Sequence, residues 1–127
     1  MMKKILLIED EINIQKVYAS LLKKSGFEVE TADNGIDGLD KAQKLIPDLI
    51  ILDLILPKLD GELVLEGLKE GSSTADIPVL IISAKSDQES IEKTQKMGAE
   101  KYMVKPIERE ELLTAVKIIT NLDEEGN

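Results

Sequence analysis

Five short apolar blocks alternating with five segments of helical periodicity predict an α/β domain, a doubly wound parallel sheet with helices on both faces. Three observations carry this reading. Ile5-Leu6-Leu7-Ile8, Leu49-Ile50-Ile51-Leu52 and Val79-Leu80-Ile81-Ile82 are continuously apolar and rich in β-branched residues, the pattern of strands buried on both faces. The segments between them repeat apolar residues at three- and four-residue spacing. The connections are short, so right-handed crossovers from strand to strand leave a parallel sheet as the arrangement.

Each element follows in order. After the first apolar block, Ile14, Val17, Tyr18, Leu21 and Leu22 mark a helix that closes at Gly26, a helix C-terminal glycine. Phe27-Glu28-Val29-Glu30-Thr31 alternates in polarity, which suits an edge strand. Ile36, Leu39, Ala42, Leu45 and Ile46 form a second helical stripe before Pro47, and Leu63, Val64, Leu65 and Leu68 a third. Gly38 and Gly67 fall inside these two helices and each costs about 1 kcal/mol relative to Ala. The fourth helical segment, Asp87 to Met97, has little beyond Ile91 and Met97 to bury, so weak anchoring and low local stability are expected. Tyr102-Met103-Val104 is a short fifth strand, and Leu112, Leu113, Val116 and Ile119 line a last helix. Asp123-Glu124-Glu125-Gly126-Asn127 reads as a frayed tail.

Composition bounds the chemistry. The 127 residues are long enough for one domain with a real core, and 43% hydrophobic content excludes a disordered chain. The formal charge of −9 argues against a direct nucleic-acid partner. The chain holds no Cys and no His. That removes disulfides, thiolate nucleophiles, Ser-His-Asp triads, imidazole bases and zinc sites built on thiolate or imidazole. Any metal has to be held by oxygen, which points to a hard cation such as Mg²⁺. The start, Met1-Met2-Lys3-Lys4-Ile5, lacks the apolar core of a signal peptide, and no apolar run is long enough to span a bilayer, so a cytoplasmic protein without membrane insertion is expected.

In open α/β sheets ligands bind beyond the carboxyl ends of the strands. The first strand runs into Glu9-Asp10-Glu11, the third ends on Asp53, the fourth on Ser83 and the fifth on Lys105-Pro106. Each residue alone has an ordinary reading: Asp10 or Ser83 as a helix N-cap, Asp53 as the start of a turn, Lys105 as a solvated lysine. Their shared position changes the balance. Three carboxylates converging from two strands repel one another unless a cation lies between them, and one lysine offsets part of that charge. Asp53 beside a divalent ion can act as a nucleophile toward a phosphoryl group, with Lys105 and Ser83 to hold its oxygens.

The motifs Ile8-Glu9-Asp10-Glu11, Asp53-Leu54-Ile55-Leu56-Pro57 with Asp60-Gly61, Ile82-Ser83-Ala84 and Tyr102-Met103-Val104-Lys105-Pro106 together resemble those of response-regulator receiver domains of two-component signalling. The resemblance covers essentially the whole chain, so one receiver domain over 1–127 with no output domain attached is the expectation. It implies a flavodoxin-like five-stranded sheet of order 2-1-3-4-5. It implies Asp53 as phosphoacceptor, Lys105 and Ser83 in contact with the phosphoryl group, and Mg²⁺, or Mn²⁺ in its place, on Asp10, Asp53 and the main-chain carbonyl of Ile55, with Glu9 acting through water. Tyr102, with Ser83, becomes the switch, Lys105-Pro106 a cis peptide, and Ile55 and Lys85 the residues that tune dephosphorylation. The implied partners are a sensor histidine kinase or histidine phosphotransfer protein and a downstream output protein, and a phosphorylation-dependent homodimer is compatible with the family. In two places the chain departs from the common pattern: Glu9 where many members have Asp, and Gly38 where Ala is common.

Other readings meet specific obstacles. A haloacid-dehalogenase-like phosphatase places a second Asp two residues after its nucleophile, where this chain has Ile55. A flavin or dinucleotide binder needs a glycine- or hydroxyl-rich first loop, whereas Glu9-Asp10-Glu11 repels phosphate. A receiver-like interaction module that has lost phosphorylation is expected to lack a site residue, and none is missing. The chain is thus expected to be a switch that catalyses only its own phosphorylation and dephosphorylation.

Overall fold

The three continuously apolar strands occupy the middle of the sheet, where both faces are covered. The computed structural model describes residues 2–121. Among these, β1 (Lys4–Ile8), β2 (Glu28–Ala32), β3 (Leu49–Asp53), β4 (Val79–Ser83) and β5 (Lys101–Val104) form one sheet in the order β2-β1-β3-β4-β5, every pair parallel. The alternating strand β2 lies at one edge, as its wet face requires, and β5 lies at the other. The tail at 123–127 lies outside the described residues. Among the described residues no helix is long and apolar enough to cross a membrane.

The helices are α1 (Ile12–Lys24), α2 (Gly35–Leu45), α3 (Gly61–Glu70), α4 (Gln88–Lys96) and α5 (Arg109–Thr120). Successive residues of a strand point to opposite faces, so Ile5, Leu7, Ile51, Leu80 and Ile82 pack with α1 and α5, while Leu6, Ile8, Ile50, Leu52 and Ile81 pack with α2 and α3. Burying each such side chain stabilises the fold by about 1.5–3 kcal/mol.

The helical stripes are rotated from the expected ones. α1 buries Gln15, Tyr18, Ala19 and Leu22, a run at the spacing of one helix face, and this leaves Val17 exposed. α3 buries Gly61, Val64, Leu65 and Leu68, which turns Leu63 outward. In α2 the buried positions are Gly35, Gly38 and Ala42; Ile36 is exposed, and Ile46 is also exposed as the left-handed residue that ends the helix. Gly38 explains its own presence. A Cβ there would lie 2.7 Å from the Ile8 side chain, so the missing methyl lets α2 lie directly on β1.

α4 buries Ser90 and Thr94, while Ile91 and Met97 are only partly covered. Its seat is thus more polar than the two apolar residues suggested, and the expected thin anchoring stands.

Candidate acidic site at the strand ends

Parallel strands deliver all their carboxyl ends to one edge of the sheet, which collects residues far apart in the chain. The β1 to β2 ladder continues one residue beyond β1, with the Glu9 N–H donating to the Ala32 carbonyl at 3.0 Å. Glu9 is fully buried. Its Oε1 accepts from Lys105 Nζ at 2.6 Å and its Oε2 from the Glu11 N–H at 3.1 Å. Asp10 next to it is exposed. It is not the N-cap of α1, a position that Glu11 occupies without a side-chain cap bond.

Asp53, buried at the end of β3, accepts from Lys105 Nζ at 2.8 Å on Oδ2 and from the Ile55 N–H at 3.1 Å on Oδ1. Lys105 is therefore a half-buried bridge between two buried carboxylates rather than a solvated lysine. Glu9, Asp10 and Asp53 each offer a carboxylate oxygen, and these oxygens lie within 4.8 Å of one another. The approach of α3 depends on Gly61, whose N–H donates to the Leu54 carbonyl at 3.0 Å. A Cβ at Gly61 would stand 2.5 Å from the Asp53 carbonyl oxygen and 2.4 Å from Leu54 Cα, so a larger residue would push the Asp53 backbone out of place.

Ser83 closes β4 and is fully buried. Its Oγ accepts from the Lys85 N–H at 3.2 Å, and its carbonyl accepts from the Lys105 N–H at 2.8 Å, which extends the β4 to β5 ladder to the lysine. It does not cap α4, where the Asp87 side chain accepts from the Ser90 N–H at 2.9 Å. The Lys105–Pro106 peptide is cis. Ile55 is 54% exposed at the mouth of the cleft, and Lys85 is exposed in the loop after β4. Tyr102 lies on β5 with its ring half-buried and its hydroxyl donating to the Lys85 carbonyl at 2.7 Å, so the hydroxyl tethers the loop after β4.

The electrostatics follow from burial and partners. Burial pushes the Glu9 carboxyl above its ordinary value, outweighing the Lys105 and Glu11 hydrogen bonds that favour its ionised form. For Lys105, burial acts to lower the value, but the hydrogen bonds to Asp53 and Glu9 prevail and raise it. The ammonium is thereby kept charged. Three carboxylates face one ammonium, and the donors offered are all hard oxygens, a set that fits Mg²⁺ and would be neutralised further by it.

One residue of the site escaped the sequence. Gln15 is buried on α1, and its Nε2 donates to the Glu9 carbonyl at 2.9 Å and to the Ala32 carbonyl at 3.4 Å. The available signal was its place in the 15, 18, 19, 22 stripe, where a polar residue stands among apolar ones.

Residues 5–117 match the model of the family described as response regulator receiver domain. The chain is 39% identical over 118 residues to the DNA-binding dual master transcriptional regulator RpaA of Synechocystis, covering 93% of this chain and 49% of that protein. It is 40% identical over 118 residues to the response regulator ArlR of Staphylococcus aureus, covering 93% and 52%. The chain thus spans about half the length of these relatives. Among solved structures, the chemotaxis protein CheY4 of Vibrio cholerae superposes with a TM-score of 0.88 at 31% identity, over 94% of this chain and 99% of that one. The receiver domain of the sensor histidine kinase PA1611 of Pseudomonas aeruginosa, with a magnesium ion coordinated in its active-site cleft, gives 0.87 at 26% identity over 95% and 99%.

Proposed function

The chain belongs to the response-regulator receiver-domain family of two-component systems, and on that premise we propose that it is a phosphoacceptor switch whose receiving residue is Asp53. One observation supports this most. Asp53 stands at the end of a central strand with Oδ1 on the Ile55 N–H and Oδ2 on Lys105, beside two further carboxylates.

Asp10, Asp53 and the Ile55 carbonyl would hold Mg²⁺, with Glu9 acting through water. The ion supplies charge neutralisation where the anionic phosphoryl group meets the carboxylates. The chain's own groups do the rest. An Asp53 carboxylate oxygen forms the new P–O bond while the P–N bond of a phosphohistidine breaks and its electron pair leaves with the imidazole. These 127 residues hold no His, so the phosphohistidine lies outside them, on a sensor histidine kinase or a histidine phosphotransfer protein. Lys105 and the Ser83 hydroxyl hold phosphoryl oxygens, and the pull on Ser83 loosens the packing that Tyr102 can then fill. The altered α4, β5 and α5 surface is what an output protein reads.

Acetyl phosphate with Mg²⁺ should label the protein, and neither Asp53→Ala nor wild type in EDTA should be labelled. An acid-stable, base-labile phosphate persisting in Asp53→Ala would overturn the assignment, and an unlabelled wild type would leave an interaction module. Ile55 and Lys85 flank the path of attacking water. The exposed β-branched Ile55 shields the phosphoryl group, so the aspartyl phosphate should decay more slowly than in Ile55→Asn, whose amide can orient water. Equal decay in the two proteins would remove Ile55 from this role.

A further inference from the structure

Gln15 is a polar side chain in a position where the fold asks only for an apolar one. It shares the buried face of α1 with Tyr18, Ala19 and Leu22. A buried amide needs hydrogen-bond partners, and the ones this amide has are not in its own helix. They are the carbonyls of Glu9 and Ala32, the residues that follow β1 and end β2.

The Glu9 backbone is thereby held on both sides. Its N–H donates to the Ala32 carbonyl at 3.0 Å, and its own carbonyl accepts from Gln15 at 2.9 Å. That carbonyl belongs to the peptide plane leading into Asp10, so fixing the oxygen fixes the direction in which Asp10 leaves the strand. The Glu9 side chain adds its bonds to the Glu11 N–H and Lys105, but among the hydrogen bonds described only that of Gln15 holds the Glu9 carbonyl, and Glu11 before α1 makes no side-chain cap bond. We propose that Gln15 is a positioning residue, whose carboxamide clamps the Glu9–Asp10 peptide to the end of β2 and so sets the affinity of the acidic site for a divalent cation. The proposal rests on the receiver reading above.

Outer contacts that orient a metal ligand commonly change affinity by about 10- to 100-fold when removed. Gln15→Met keeps the length of the side chain and deletes its donors. Gln15→Asn keeps the donors and withdraws them by one methylene. Both variants, folded by circular dichroism, should bind Mg²⁺ about 10-fold more weakly than wild type by calorimetry. In metal-free protein, the amides of Glu9 and Glu11, which donate to the Ala32 carbonyl and to Glu9 Oε2, should exchange faster than in wild type. A role confined to packing would lower the melting temperature and leave both readouts at wild-type values, and that result would overturn the proposal alone. Wild-type protein that bound no Mg²⁺ would overturn the receiver reading and this proposal with it.

Discussion

β3 is buried at all five of its positions, whereas β5 buries none of its four, and the neighbouring helices differ in the same sense. α3 seats Val64, Leu65 and Leu68 on the sheet. α4 seats Ser90 and Thr94, and the Thr94 hydroxyl donates to the Ser90 carbonyl of its own helix at 2.9 Å, so it does nothing to hold α4 in place. Beyond the partly covered Ile91 and Met97, what ties α4 to its surroundings is polar. The Lys93–Glu62 ion pair at 2.8 Å joins it to α3, and the Tyr102 hydroxyl bond holds the loop before it. Exposed ion pairs contribute little and are screened by salt. The comparison teaches a division of labour: the half of the site that holds charge is deep and paired, and the half beside it sits on few apolar contacts.

The largest test of that contrast is Lys105→Gln. Removing the ammonium leaves Glu9 and Asp53 buried without their counter-charge, and breaking such a pair destabilises by about 3 kcal/mol. Urea unfolding in EDTA should show the loss, and Mg²⁺ should restore part of it. A loss no larger than that of the exposed Lys44→Gln would mean that the deep half is not locked by charge.

A smaller effect comes from pH. Burial raises the Glu9 carboxyl in the folded protein above its unfolded value near 4.5. The native state therefore holds that proton more tightly than the unfolded chain does. The stability this confers is complete below the unfolded value and is lost as pH rises through the folded one. In EDTA, the stability of wild type relative to Glu9→Gln should rise as pH falls from neutral toward 4.5. A gap constant across that window would contradict the assigned direction.

The smallest change sharpens the soft side. Thr94→Val orphans no partner and adds apolar contact, so stability should rise by about 0.5–1 kcal/mol. Amide exchange across Gln88–Lys96, faster than in α1 of wild type, should slow in this variant, and beryllofluoride should bind more weakly because the helix resists re-packing. Unchanged exchange would show that the hydroxyl is not what keeps α4 loosely seated.

Much of this contrast was legible from residue order. The unbroken apolar blocks announced β1, β3 and β4 because a strand covered on both faces has no wet position, and the alternation of β2 marked an edge. The site residues were legible because parallel strands end together, so Glu9, Asp10, Asp53, Ser83 and Lys105 were expected at one edge of the sheet. The rotation of the stripes was not. Val17 and Leu63 lie a single position off a buried face, and apolar identity alone does not separate a helix's inner face from its flank. Gln15 was missed because its partners, the Glu9 and Ala32 carbonyls, lie at the ends of two strands, and Ser90 and Thr94 because their bonds stay within the first turns of α4 and leave no mark on the apolar pattern. Residue order showed Gly38 only as a local cost to the helix; the close approach to Ile8 that it permits is contained only in the packed structure.

Lys105 reaches Glu9 across 96 residues and Asp53 across 52. A chain made from its N-terminus exposes both carboxylates long before the lysine that balances them exists. A chain made only as far as β4 would carry both carboxylates without Lys105 and leave unpaired the edge of β4 where β5 belongs. Completion of the fifth strand covers that edge and brings in the ammonium in one step. On the reading proposed above, a chain that stops before β5 has the acceptor carboxylate but lacks the ammonium that pairs with it.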